Sequence, residues 1–290
     1  MNSHLSPVLD YRGRFAPTPT GPLHMGSLVA ALASYLDAKA NNGKWLLRID
    51  DVDPPREVKG SADSILQCLQ RFGLVWDEEV VYQSKQGSQY EKFLNQISSN
   101  TYHCICSRKQ IGPNAYQSTC FNKDVDLSLP NSVRLHVDNP DVFFKDMIQL
   151  DQNQNQNEDF VVKRKDTLWS YHFSVVVDDY LSGITNIVRG VDLLESTFMH
   201  IQLQQVLGFK VPNYAHIPVL VESNGQKLSK QNLAKPVGLV NLDIEKELLF
   251  ALGKLGINVK GTKGVRQMLK LAVQRWDINS LKGKKTLQNN

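Results

Sequence analysis

The chain has little cysteine, only a slight excess of one charge and no long apolar run, and each shortage excludes a class of protein. Four cysteines in 290 residues cannot staple a small secreted scaffold, and three of them, Cys104, Cys106 and Cys120, share one short window while Cys68 stands alone. That grouping is not a disulfide framework; in a reducing compartment, clustered thiols point to a metal. No uncharged apolar stretch reaches the roughly 18 residues a membrane span needs. The opening MNSHLSPVLDY also lacks a basic region followed by an apolar core. The expectation is a cytoplasmic protein with no membrane partner. The 33 basic and 29 acidic side chains leave a net charge of +4, a weak sign of a polyanionic partner. The excess gathers in the run 254–285, with Lys254, Lys260, Lys263, Arg266, Lys270, Arg275, Lys282, Lys284 and Lys285. A solvated helix face and a polyanion contact both fit that run.

What is present reads as an ordinary globular composition, with 41% apolar and 21% charged residues and no repeat at a fixed period. Residues 44–49 form a mostly apolar run ahead of the acidic and proline cluster 50–55, which predicts a buried strand ending in a loop. Before it, residues 26–36 carry small and apolar side chains at helical spacing, preceded by the breaker-rich stretch 16–22. Strand, Pro/Gly loop, helix and strand make an α/β beginning. Helices are predicted over 62–72, 89–97 and 195–207. Strands are predicted over 174–177 and 184–188 with a turn at 181–183, the Gln/Asn tract 151–159 as a surface loop, and basic helices beyond Pro236 broken by Gly253, Gly256 and Gly261.

Two segments carry chemistry. In Arg14-Phe15-Ala16-Pro17-Thr18-Pro19-Thr20-Gly21-Pro22-Leu23-His24-Met25-Gly26-Ser27, prolines fix a loop and glycines permit close backbone approach just before a helix starts. A helix N-terminus offers free N–H groups and partial positive charge to an anion. His24 adds a donor there, and Gly26 removes a side chain that would block a nucleotide. Some two hundred residues on, Lys227-Leu228-Ser229-Lys230-Gln231 places two lysines in a Gly-containing loop, a cationic clamp for the charge that builds on a departing pyrophosphate. Either segment alone is common. Arg14 and Arg189 are candidate forks for carboxylates. In the thiol window, Cys104, Cys106 and Cys120 supply three of the four positions of a structural zinc site. His103 and Tyr116 compete for the fourth: imidazole is the commoner ligand, but the adjacent Cys104 makes it hard for His103 to turn to the same ion.

Together and in this order, residues 17–27 resemble the HIGH signature of class I aminoacyl-tRNA synthetases, and residues 227–231 their KMSKS signature. The strings 14–21 and 47–57 resemble the glutamyl branch. The resemblance, which spans roughly residues 12–240, implies an α/β fold: a Rossmann-like class I catalytic domain with a zinc-bearing insertion and a helical C-terminal tail. The implied division is 1–99 and 190–240 for the two catalytic halves, 100–189 for the insertion and 241–290 for the basic helical segment. It further implies that Arg14, Phe15, Ala16, Pro17, Thr18, Asp50, Tyr171 and Arg189 surround L-glutamate. His24, Gly26 and Lys230 would meet ATP, with His24, Lys227 and Lys230 stabilising the transition state. Asp50 departs from the family, which has a glutamate there, one methylene longer.

The cysteine window resembles that of the short glutamyl-queuosine tRNA(Asp) synthetases, and this likeness assigns the fourth zinc position to Tyr116 beside Cys104, Cys106 and Cys120. The chain runs about sixty residues beyond Lys230, too few for the anticodon-binding domains of full-length glutamyl-tRNA synthetases. The implied reaction is therefore tRNA-independent activation of glutamate by ATP with Mg²⁺, then transfer to the queuosine base in the anticodon of tRNA(Asp). Two other readings stand beside it: a truncated synthetase charging the 3′ end of tRNA(Glu), and a non-catalytic tRNA-binding protein, whose mark would be a broken HIGH or KMSKS segment.

Overall fold

The computed structural model describes residues 10–112, 116, 118–222, 226, 235–239 and 243–288. The first part of the chain forms β1 (Arg12–Phe15), α1 (Met25–Ala40), β2 (Lys44–Ile49), α2 (Ser61–Arg71), β3 (Val81–Tyr82) and α3 (Gly87–Gln96). Then follow β4 (Thr101–Cys104), α4 (Arg108–Ile111), β5 (Ser132–Leu135), β6 (Asp141–Asp146), β7 (Leu150–Asn155) and β8 (Phe160–Lys163). The remainder is α5 (Tyr171–Leu181), β9 (Asn186–Gly190), α6 (Leu194–Leu207), β10 (Asn213–Ile217), β11 (Val219–Val221), α7 (Ile244–Lys254), α8 (Val265–Arg275) and β12 (Thr286–Gln288).

Strands β1, β2 and β3 pair in parallel, as do β9, β10 and β6, with β7 antiparallel at the edge. The two groups meet at β1 and β9. Just ahead of β9 the Thr185 N–H donates to the Arg12 carbonyl (3.0 Å), and the Arg12 N–H donates to Thr185 Oγ1 (2.9 Å). The chain thus works outward from β1 to β3 on one flank and from β9 to β10 on the other. Such a reversal of strand order leaves a crevice beyond the carboxyl ends of the central strands, where open α/β sheets bind ligands. A small antiparallel sheet, β4-β5-β8, and the parallel pair β11-β12 complete the strands among the described residues.

Parallel neighbours need a crossover, and α1 supplies it between β1 and β2. Its Leu28, Leu32 and Leu36 are buried together with Trp45, Leu47 and Ile49 of β2, each leucine contributing roughly 1.5–3 kcal/mol by leaving water. After α1 the chain must turn hard against the start of β1: a Cβ on Gly43 would lie 2.5 Å from the Tyr11 carbonyl oxygen. Leu248, Leu252 and Leu269 of α7 and α8 join the same core cluster, so the basic C-terminal helices pack onto α1 rather than trailing from it. A second cluster unites Tyr90 and Phe93 of α3, Phe173, Val176 and Val177 of α5, and Leu203 and Leu207 of α6.

Helices α2, α3 and α6 and strands β2 and β9 fall within two residues of their predicted places. Three expectations do not hold. Residues 174–177 are helical: Ser170 caps α5 by accepting the Phe173 N–H (3.3 Å), and Phe173, Val176 and Val177 share one buried face at helical spacing. Burial there overrides the β preference of the valines. Residues 151–155 of the Gln/Asn tract belong to the edge strand β7, whose polar side chains suit an unpaired sheet edge, and only 156–159 lie outside any element. The helical tail closes with β12, and α7 runs through Gly253.

Candidate active site

A cleft of about 300 Å³ opens at the carboxyl ends of β1, β2, β9 and β10. Its lining includes Arg14, Phe15, Ala16, Pro17 and Thr18, then His24 and Gly26 at the start of α1, Asp50 after β2, Tyr171 at the start of α5 and Arg189 on β9. Every residue expected at the glutamate and nucleotide sites therefore faces one cavity, save Lys227 and Lys230, which lie outside the described residues. His24 is also the cap of α1, its Nδ1 accepting from the Ser27 N–H at 3.3 Å. The positive pole of a 16-residue helix thereby opens into the cleft.

One wall is a lattice of buried opposite charges. Arg14 grips Asp179 with two bonds, Nε to Oδ1 (3.1 Å) and Nη2 to Oδ2 (3.2 Å). Arg48 donates from Nη1 to Asp179 Oδ1 (2.7 Å) and from Nε to Asp50 Oδ1 (2.6 Å). Asp178 Oδ2 accepts from Gln83 Nε2 and Tyr90 Oη, both at 2.7 Å. Burial alone would raise all three carboxyls. In Asp179 the two guanidinium groups outweigh it and hold the pKa below the usual range; in Asp50 burial outweighs Arg48 and raises it. Asp178, more distant from Arg48, is pushed up to about 6. Arg48 Nη2 and Asp178 Oδ1 stay buried without a hydrogen-bond partner among the described residues.

The opposite wall holds Arg189 with neutral groups. Its Nε donates to His216 Nε2 (3.1 Å), Nη2 to Thr197 Oγ1 (2.7 Å) and the Leu193 carbonyl (3.3 Å), and Nη1 meets His200 Nδ1 (3.3 Å). Behind His216, its Nδ1 lies 2.6 Å from Asp146 Oδ2. Burial, and then the nearby guanidinium, keep His200 well below its ordinary pKa and bring His172 to about 4. His216 is also lowered, since burial and Arg189 outweigh the raising effect of Asp146.

Away from the cleft, the Sγ atoms of Cys104, Cys106 and Cys120 lie within 4.8 Å of one another. Tyr116 Oη is 3.2 Å from Cys104 Sγ, and Cys106 and Cys120 Sγ are 3.4 Å apart. Four ligands around a tetrahedral zinc with Zn–S near 2.3 Å stand about 3.8 Å from one another, so the donor set and its spacing fit that ion. His103 alternates to the exposed side of β4, where Nδ1 bonds Asn131 Oδ1 at 2.7 Å. Arg134 stacks over the Tyr116 ring at 3.7 Å. Burial opposes ionisation of Cys104, but hydrogen bonds with Tyr116 and Arg134 prevail and bring it to about 7.

Sequence reasoning missed Arg48, Asp178, Asp179, Asp146, Thr197, His200 and His216. A signal existed for some: two adjacent aspartates ending the apolar run of α5, and a histidine between Ala215 and Ile217. Isolated polar residues in apolar elements need buried partners.

Known proteins place this geometry. The family described as tRNA synthetases class I (E and Q), catalytic domain, matches residues 10–126 and 118–289. A Vibrio parahaemolyticus protein named glutamyl-Q tRNA(Asp) synthetase is 42% identical over 93% of this chain and 94% of its own. One of the same name from Idiomarina loihiensis is 44% identical over 92% and 96%. Among solved structures, a glutamate tRNA ligase from Elizabethkingia meningosepticum superposes with a TM-score of 0.80 at 24% identity, covering 97% of this chain and 67% of that one, a likeness of fold.

Proposed function

The chain belongs to the class I tRNA synthetases of the E and Q type, and from that premise we propose that it activates glutamate with ATP, without tRNA, and transfers it to the queuosine base in the anticodon of tRNA(Asp). The observation that carries this reading is the match to the glutamyl-Q tRNA(Asp) synthetases along more than nine-tenths of both chains. The cleft supports it chemically: two buried arginines, Arg14 and Arg189, lining one cavity with Asp50 and Tyr171, suit a small molecule with two carboxylates and an ammonium.

In this reading glutamate's α-carboxylate attacks the α-phosphorus of ATP, releasing pyrophosphate, and a queuosine hydroxyl then attacks the activated acyl carbon. Arg14, Phe15, Ala16, Pro17, Thr18, Asp50, Tyr171 and Arg189 enclose the amino acid. His24 and Gly26, at the positive end of α1, take the nucleotide, and Lys227 and Lys230 stabilise charge on the leaving pyrophosphate. Mg²⁺ comes with ATP, held by phosphates and water. Zinc would be held by Cys104, Cys106, Cys120 and Tyr116, where it supplies a rigid cross-link between β4 and the segment of Tyr116 and Cys120. Residues 1–99 and 190–240 act as catalytic halves, 100–189 as the insertion and 241–290 as the basic segment. From within the insertion range, β6 and β7 extend the catalytic sheet. A cytoplasmic site of action completes the reading.

The test is ATP–pyrophosphate exchange without tRNA, with aspartate and glutamine as controls, followed by transfer of labelled glutamate to tRNA(Asp) bearing queuosine. Exchange with glutamate alone and label lost when the anticodon loop is removed are the expected results. Label on the 3′ end of tRNA(Glu), or no exchange at all, would overturn the proposal.

A further inference from the structure

Arg14 and Arg48 are each bonded directly to carboxylates, whereas the hydrogen-bond partners of Arg189 described above are all neutral. The nearest acid in this chain of contacts, Asp146, reaches Arg189 only through the ring of His216, and both residues are fully buried. The protons along that chain have one consistent arrangement. An ionised carboxylate only accepts hydrogen bonds and a guanidinium only donates them. Asp146 Oδ1 accepts from the N–H groups of Ile148 (2.9 Å) and Gln149 (2.7 Å), and Oδ2 faces His216 Nδ1 at 2.6 Å. The ring proton therefore belongs to Nδ1, and Nε2 presents a lone pair to the Arg189 Nε–H at 3.1 Å, with Thr197 Oγ1 beside it at 3.0 Å. A second bond holds the other end of the fork, from Nη2 to Thr197 Oγ1 at 2.7 Å. Of the five guanidinium N–H groups, one on Nη1 is left without a protein acceptor among the described residues, and Arg189 lines the cleft.

We propose that His216, locked in its Nδ1–H tautomer by Asp146, is a positioning residue for substrate recognition: its Nε2 lone pair holds Arg189 by a neutral contact, so that the guanidinium keeps its full charge for a substrate carboxylate. This rests on the reading that Arg189 receives a carboxylate of glutamate. A carboxylate in place of the imidazole would hold the arginine as firmly but neutralise it before the substrate arrived. The imidazole separates the two tasks: it transmits orientation from the acid and leaves the cation without a directly bonded carboxylate among the described residues, although Asp50 and Asp192 line the same cleft.

The relay can be broken with near-isosteric changes. Asp146→Asn keeps the Oδ1 acceptor for the backbone but turns an amide N–H₂ toward His216 Nδ1, which drives the ring proton to Nε2, where it confronts the Arg189 Nε–H. His216→Asn keeps a donor for Asp146 and removes the group at Arg189; His216→Gln sets an oxygen near the former Nε2 and keeps the contact that matters. In tRNA-free ATP–pyrophosphate exchange, Asp146→Asn and His216→Asn are expected to raise the glutamate KM roughly ten- to a hundredfold with the ATP KM changed by less than about twofold, while His216→Gln recovers most of the loss. Equal impairment in both His216 variants, or an unchanged glutamate KM in Asp146→Asn, would overturn the positioning role. Should Asp146→Asn fail to fold by thermal melting, the His216 pair decides alone. Arg189→Ala separates the two layers: an unchanged glutamate KM there removes the premise, whereas a raised KM there with wild-type values in Asp146→Asn and His216→Asn removes only the relay.

Discussion

The two walls of the cleft solve one problem, the fixing of a buried arginine, with different chemistry. On the β1–β2 side Arg14 and Arg48 are cross-linked through Asp179, with Asp50 also on Arg48, so charge meets charge within 2.6–3.2 Å. On the β9–β10 side Arg189 rests on imidazole, hydroxyl and carbonyl groups. The first arrangement tolerates burial because each guanidinium has a counter-ion; the second leaves a cation exposed electrically though not sterically. The difference teaches that the two cleft arginines are held by opposite means: Arg14 shares its charge with a bonded carboxylate, while Arg189 is held by neutral groups.

Removing the shared counter-ion gives the largest effect. Asp179→Ala would strand Arg14 and leave Arg48 with Asp50 as its one directly bonded carboxylate among the described residues, and breaking a buried pair by deleting one partner costs about 3–5 kcal/mol. Urea denaturation should show that loss, with the glutamate KM raised as well because Arg14 loses its clamp. A variant as stable as the parent would mean that the lattice is solvated and that the contrast between the walls is not one of burial.

The thiol corner sharpens the comparison from outside, because there the proposed fixing agent is a metal rather than a protein charge. Cys104→Ser is expected to reduce bound zinc, from one per chain, and to lower the melting temperature by roughly 5–10 °C, since metal binding and local folding are coupled. Elemental analysis beside calorimetry checks it. Full zinc content in that variant would remove Cys104 from the ligand set.

How much of this was legible beforehand follows from how local each signal is. The Pro/Gly loop at 16–22, helix α1 and strand β2 are written in contiguous residues, and so was the grouping of three thiols. The valines of α5 misled because their burial against α3 and α6 is a tertiary fact that no short window contains. The relay from Asp146 to Arg189 was invisible for a related reason. Asp146 ends β6, His216 lies on β10 and Arg189 on β9, and only the sheet order β6-β10-β9 brings them abreast. In the sequence Asp146 belongs to an unremarked DVFFKD strand, where alternation alone says that it points inward with Val142 and Phe144.

The walls should also part company on acidification, the smallest effect and the one that addresses both at once. His172, His200 and His216 have folded pKa values below the ordinary imidazole value, about 4 for His172. Below pH ~6.5 the unfolded chain therefore binds protons that the folded one refuses, and stability present above that pH is lost as pH falls. Asp178, raised to about 6, acts in the other sense: the folded state holds its proton where the unfolded one has released it, so its contribution is present below pH ~3.9 and lost as pH rises through about 6. Each group contributes a slope of up to about 1.4 kcal/mol per pH unit within its window. Urea midpoints measured between pH 4.5 and 7 should consequently fall more steeply with acid in Asp178→Asn than in the parent, and less steeply in His172→Phe. Parallel curves for all three would show that neither wall titrates as its burial requires, and the electrostatic contrast between them would lose its physical basis.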